Sequence, residues 1–183
     1  MTINQTSEIK VLRDVVEKLH IAGIPYMLTG SFALGYYAQP RMTRDLDIVL
    51  AVEEKDIDPL LSSFGKEYYV SESAIKDAIK HNTMFNIIHN ESFVKVDFII
   101  KKAGEYRELE FERKQKIDLM GLDVFIVSKE DLILSKMLWA KDSKSELQFK
   151  DIKNLLTSSF DKAYIDEWTK KLGLEGMWKE ITK

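Results

Sequence analysis

The stretch Met27–Leu50, MLTGSFALGYYAQPRMTRDLDIVL, decides the reading of this chain. It joins a short apolar run ending in Gly30-Ser31 to a second apolar run that opens with Asp45 and Asp47. In a strand, successive side chains alternate between faces, so Asp45 and Asp47 point one way while Leu46, Ile48 and Leu50 point the other. Two carboxylates then share one small patch. Taken alone, the pair is either a solvated strand edge, with Arg41 and Arg44 as surface partners, or the start of a cation site. Gly30-Ser31 stands at a predicted strand-to-helix junction, where backbone N–H groups and a helix N-terminus favour an anion and glycine permits close approach to a phosphate. GSFALG also has the outer spacing of a P-loop, but Tyr36 and Tyr37 occupy the places of the required Lys and Ser/Thr. That motif is excluded.

Upstream, residues 7 to 21 carry apolar side chains at helical spacing, with Ser7 as candidate cap and Gly23 and Pro25 as terminators. PYMLTG reads as a strand, SFALGYYA as a short helix stopped by Pro40, and DLDIVLAV as a strand followed by a helix near residues 54 to 64. TMFNIIH and SFVKVDFII read as strands joined by a hairpin at Asn90-Glu91. In the second of these, Asp97 falls on the face opposite Val96 and Phe98. An unpaired carboxylate there is costly, and three carboxylates brought together by neighbouring strands require a cation. An all-oxygen donor set suits Mg²⁺ or Mn²⁺.

Residues 101 to 116 hold six basic and four acidic side chains and read as a solvated face with a basic side that could touch a polyanion. LDVFIV is a further strand. From Ser128 the chain reads as helices only, opening with Ser128 and Asp131 in capping-box spacing. The expected fold class is therefore α/β (α+β), a mixed sheet flanked by helices, with residues 1–127 as the sheet domain that carries the aspartates and 128–183 as a helical portion packed on it. Trp139, Trp168 and Trp178 are expected to pack helices, a base-stacking role being inseparable from that, and His20, His81 and His89 show no shared metal spacing.

Composition narrows the setting. With 183 residues, 45% hydrophobic, the chain suits one domain with a real core. A net charge of -3 announces neither a nucleic-acid nor a membrane binder, and the lack of cysteine excludes disulfides, cysteine nucleophiles and thiolate sites. No basic, apolar leader and no membrane-length apolar run is present, which makes a cytoplasmic protein the expectation.

An apolar residue, Gly-Ser, a thirteen-residue gap from Phe32 to Arg44, Asp-Leu-Asp-Ile and a later single Asp in an apolar strand together resemble the DNA polymerase β-like nucleotidyltransferase superfamily. The threonine before the glycine is a mild departure. The resemblance implies that Asp45 and Asp47 bind Mg²⁺ or Mn²⁺, that Asp97 completes the catalytic set and activates the attacking hydroxyl, and that Gly30, Ser31 and Arg44 serve the phosphates of an NTP. A narrower likeness, VSKEDLILSKMLWA followed by LQFKDIKNLL, is to the AbiEii toxin-like nucleotidyltransferases. It implies that Lys136 faces the nucleotide phosphates and that Asp151 holds that lysine, while Gln148 stands where many such proteins carry arginine. The function implied is transfer of an NMP from an NTP to a hydroxyl with release of pyrophosphate. The acceptor is tRNA or another macromolecule, with an antitoxin as possible partner, or else a small molecule of the aminoglycoside or lincosamide kind. A nucleotide-binding regulatory module with little catalysis is the remaining reading.

Overall fold

The computed structural model describes residues 6–143 and 145–183. Helix α1 (Ser7–Ile21) buries Val11, Leu12, Val15, Val16 and Leu19 along one face. Its N-cap is Thr6 rather than Ser7, with the Thr6 hydroxyl accepting from the Ile9 N–H. Strand β1 (Tyr26–Thr29), helix α2 (Gly30–Tyr37) and strand β2 (Asp45–Leu50) follow. A 3₁₀ turn (Glu54–Asp56) leads into α3 (Ile57–Phe64), then come β3 (Tyr68–Tyr69), α4 (Glu72–His81), β4 (Met84–His89) and β5 (Lys95–Ile100). The β4–β5 hairpin is present, but its connection runs over residues 90–94. Phe93 sits there with positive φ and its N–H donates to the His89 carbonyl, so the turn is wider than two residues.

The charged run at 101–116 is not a solvated face throughout. It forms α5 (Glu105–Glu112), which buries Tyr106, Glu110 and Phe111, and then β6 (Gln115–Asp118). Strand β7 (Asp123–Ile126) precedes four helices, α6 (Lys129–Ser143), α7 (Glu146–Leu155), α8 (Lys162–Lys171) and α9 (Glu175–Ile181). At the head of α6, Ser128 Oγ accepts from the Asp131 N–H at 3.2 Å. The Asp131 carboxylate takes the Ser128 hydroxyl, Arg113 and Tyr164 instead of closing a full capping box.

The seven strands form one mixed sheet in the order β3-β4-β5-β2-β1-β7-β6. β1 is antiparallel to β2, whereas β2 and β5 run parallel, in register from Asp45↔Lys95 to Leu50↔Ile100. One face presents Leu28, Leu46, Ile48, Val96 and Phe98, all buried, with Phe64 of α3 packed on Phe98. The opposite face carries Met27, Thr29, Asp47, Val49, Asp97 and Ile99, and α5 and α6 rise over it. Leu132, Ile133, Leu134 and Met137 of α6 belong to the same apolar cluster as the strands.

Candidate active site

Residue pairing places the aspartates. Asp47 lies opposite Asp97 across the β2–β5 seam and opposite Thr29 across β1–β2, and Asp45 is one same-face step along β2. The two strands therefore bring the distant Asp97 beside the pair. Asp97 is buried and its Oδ1 has no hydrogen-bond partner, while Lys95 Nζ bridges Asp97 Oδ2 at 2.9 Å and Asp45 Oδ2 at 3.3 Å. Burial and the neighbouring Asp97 charge push the Asp47 carboxyl up to about 6, against the pull of a hydrogen bond from the Ser31 backbone N–H.

Among the described residues no three His, Cys, Asp or Glu side chains converge as a ready-made metal cage. The carboxylates share a patch, and the Lys95 ammonium holds two of them. The donor set nonetheless fits a hard divalent cation, because it is all carboxylate oxygen, contains one buried oxygen without a partner and strains the ionisation of Asp47.

Gly30 opens α2 at φ +64, a left-handed conformation that disfavours side chains. A Cβ there would lie 2.0 Å from Asp47 Oδ2. Ser31 is buried, with its N–H turned to Asp47. The α2 N-terminus thus faces the aspartate as well as the cavity beside it. Arg44 is exposed and lies outside the cavity wall, whereas Arg41 reaches Asp151 Oδ1 at 3.2 Å.

Lys136 is not a snorkelling surface lysine. It is 3% exposed and donates to Asp151 Oδ2 at 2.7 Å and to Gln148 Oε1 at 3.2 Å. Gln148, where the resemblance leads one to expect arginine, therefore supplies an acceptor. Burial lowers the Lys136 pKa, while Asp151 and Asp47 oppose that fall. Asn154 ties α7 to the loop before β2, accepting from the Gln39 N–H and donating to the Gln39 carbonyl at 2.8 Å.

Between the open sheet face and α5/α6 lies a cavity of about 320 Å³, with Gly30, Asp47 and Lys136 at one end. Sequence reasoning missed its other wall. Glu110 is buried there, accepting from Arg107 at 2.6 Å and from the Ser135 hydroxyl, and Arg107 also donates to Ser135 Oγ at 2.7 Å. Burial raises the Glu110 pKa despite these partners. The only sequence signal was Tyr106 and Phe111 within an otherwise charged run. Trp139 also lines the cavity and is 56% exposed, whereas Trp168 and Trp178 pack as expected at 5% each. No helix among the described residues is long and apolar enough to cross a membrane.

No protein-family model and no curated protein matches the chain. Solved structures do match it. ANT(2")-Ia in complex with adenylyl-2"-tobramycin aligns with a TM-score of 0.60 at 10% identity, covering 94% of this chain and 99% of that one. The lincosamide antibiotic adenylyltransferase LnuA, lincomycin-bound, aligns with a TM-score of 0.57 at 14% identity, over 85% and 100%. An antigenic nucleotidyltransferase-like protein from Paracoccidioides brasiliensis aligns with a TM-score of 0.51 at 21% identity, over 82% and 75%. At these identities the likeness is one of architecture, and this chain has the α/β nucleotidyltransferase fold.

Proposed function

We propose that the protein transfers an NMP from an NTP to a hydroxyl acceptor and releases pyrophosphate. The observation that carries this reading is the in-register pairing of Asp47 with Asp97, with Gly30 pressed against Asp47. Two carboxylates forced together where one buried oxygen has no partner are costly in a structural role and useful around phosphates. The nucleotidyltransferase neighbours support the same chemistry.

Asp45, Asp47 and Asp97 would hold Mg²⁺ or Mn²⁺, which supplies neutralisation of phosphate charge and acidification of the acceptor hydroxyl. The acceptor oxygen forms a bond to the α-phosphorus as the bond to the bridging α–β oxygen breaks. Asp97 Oδ1 is the unpartnered acceptor for the hydroxyl proton. Lys136, oriented by Asp151, supplies positive charge toward the phosphates, and Gly30 lets the backbone approach them closely. Arg44, exposed ahead of β2, is assigned to incoming phosphate rather than to the cavity.

The acceptor we assign, following the likeness to AbiEii toxin-like enzymes in α6 and α7, is tRNA or another macromolecule, with an antitoxin as the matching partner. Structural neighbours bound to antibiotics keep the small-molecule acceptor as the second reading. Incubation with each labelled NTP, Mg²⁺ or Mn²⁺, and either total RNA or an aminoglycoside and lincosamide panel separates them. Label in RNA supports the first, and label in an antibiotic supports the second. Asp47→Ala is expected to abolish transfer while leaving the fold intact, and near-normal turnover in that variant overturns the assignment.

A further inference from the structure

We propose that the cavity beside Asp47 receives the base of the nucleotide, stacked on Trp139, with Arg107 facing the base edge. This deepens the nucleotidyl-transfer reading and rests on it. Trp139 is 56% exposed although the other two tryptophans of the chain are buried, and it lines the cavity without joining the apolar core cluster. An indole left open to solvent in a concave wall is available to an aromatic ligand. On α6 it lies three residues beyond Lys136, roughly 4.5 Å along the helix axis, so both face the same space.

The chemistry of the wall changes along the cavity. Gly30, Asp47 and Lys136 offer the phosphate end, then Val49, Ile99 and Phe111 make an apolar floor and side. Polar side chains interrupt that apolar wall: Glu110 with Arg107 and Ser135, and the two lysines Lys101, paired with Glu108, and Lys102. Only Nη1 of Arg107 is engaged with Glu110 and Ser135, which leaves the Nε and Nη2 donors without a partner among the described residues. Apolar surface with a few fixed polar groups is what a nucleobase requires. The volume of about 320 Å³ is small for a nucleotide and an acceptor together. Asp45, Lys95 and Asp97 lie outside the cavity wall, so the acceptor approaches from their side and the base occupies the cavity.

The test titrates ATP, GTP, CTP, UTP, inorganic tripolyphosphate and a short single-stranded RNA into the wild type, Trp139→Ala and Trp139→Phe, with Mg²⁺ present. Calorimetry gives Kd and tryptophan emission gives a second signal. The expected result is a loss of about 10-fold in affinity for the preferred NTP in Trp139→Ala, with most of the affinity kept in Trp139→Phe. Tripolyphosphate affinity stays the same in all three proteins. NTP-dependent quenching of emission, present in the wild type, disappears in Trp139→Phe, because Trp168 and Trp178 are buried. Unchanged NTP affinity in Trp139→Ala overturns the inference and leaves nucleotidyl transfer standing. Equal losses for tripolyphosphate and NTP overturn it as structural damage. A loss confined to the RNA assigns the stacked base to the acceptor and overturns it too. Failure of the wild type to bind either NTP or tripolyphosphate brings down both readings.

Discussion

Gly30 and Asp47 are one steric unit, and each constrains what the other can become. A methyl group at residue 30 meets Asp47 Oδ2 at 2.0 Å and must be carried on a backbone at φ +64. Gly30→Ala is therefore expected to displace the carboxylate and reduce transfer by about 100-fold, measured as initial rate, since misplacement on the order of 1 Å has that effect. Asp47 yields a pH prediction. Its folded pKa of about 6 lies above the ordinary 3.8, so in the metal-free protein its ionisation opposes folding above pH 6. Protonation in the folded state relieves that cost as pH falls, and below the ordinary value both states are protonated and the difference vanishes. Asp47→Asn should accordingly stabilise the metal-free protein at pH 7 by up to about 3 kcal/mol. Urea unfolding should show that gain fading between pH 6 and 4. A gain independent of pH would count against the burial argument.

At the scale of elements, α6 and α7 are fastened to the site by a short ionic chain. Asp151 holds Lys136 and Arg41 at once, so Asp151→Ala leaves a buried ammonium unpaired and is expected to cost about 3–5 kcal/mol in denaturant unfolding. Asn154→Ala removes only the clasp on Gln39 and should cost about 1 kcal/mol. Most elements were legible from apolar spacing and terminators: α1, β1, α2, β2, α3, β4, β5, β7 and the run of C-terminal helices. β3 escaped notice because it has two residues, and α4 because its buried face amounts to Ile75 and Ala78. α5 was hidden by charge, since Glu110 is buried through partners supplied by Arg107 and by Ser135 of α6. Asp45 and Asp47 on one face followed from strand periodicity alone. Their adjacency to Asp97 did not, because it depends on which strands pair. The exposure of Trp139 is likewise tertiary: helical spacing cannot say that the space in front of a residue is empty.

For the molecule as a whole, the helical portion behaves as part of the core. Leu132, Ile133, Leu134 and Met137 are fully or almost fully buried against the sheet domain. At roughly 2 kcal/mol each, their removal takes away about 8 kcal/mol, comparable to the net stability of an ordinary domain. A fragment of residues 1–127 is expected to lack cooperative unfolding by circular dichroism, and a sharp thermal transition in it would make the boundary near 128 a genuine one. The ion pair between Lys136 and Asp151 carries this further, into the life of the chain during synthesis. Gly30, Asp47 and Lys136 reach one place only after the ribosome has delivered residues far apart in order, and the lysine lacks its counter-charge until α7 emerges. A nascent chain stalled before residue 151 would then hold its aspartates but no neutralised lysine. The pair that closes this end of the site would therefore form only late in synthesis, once α7 is free to pack on α6.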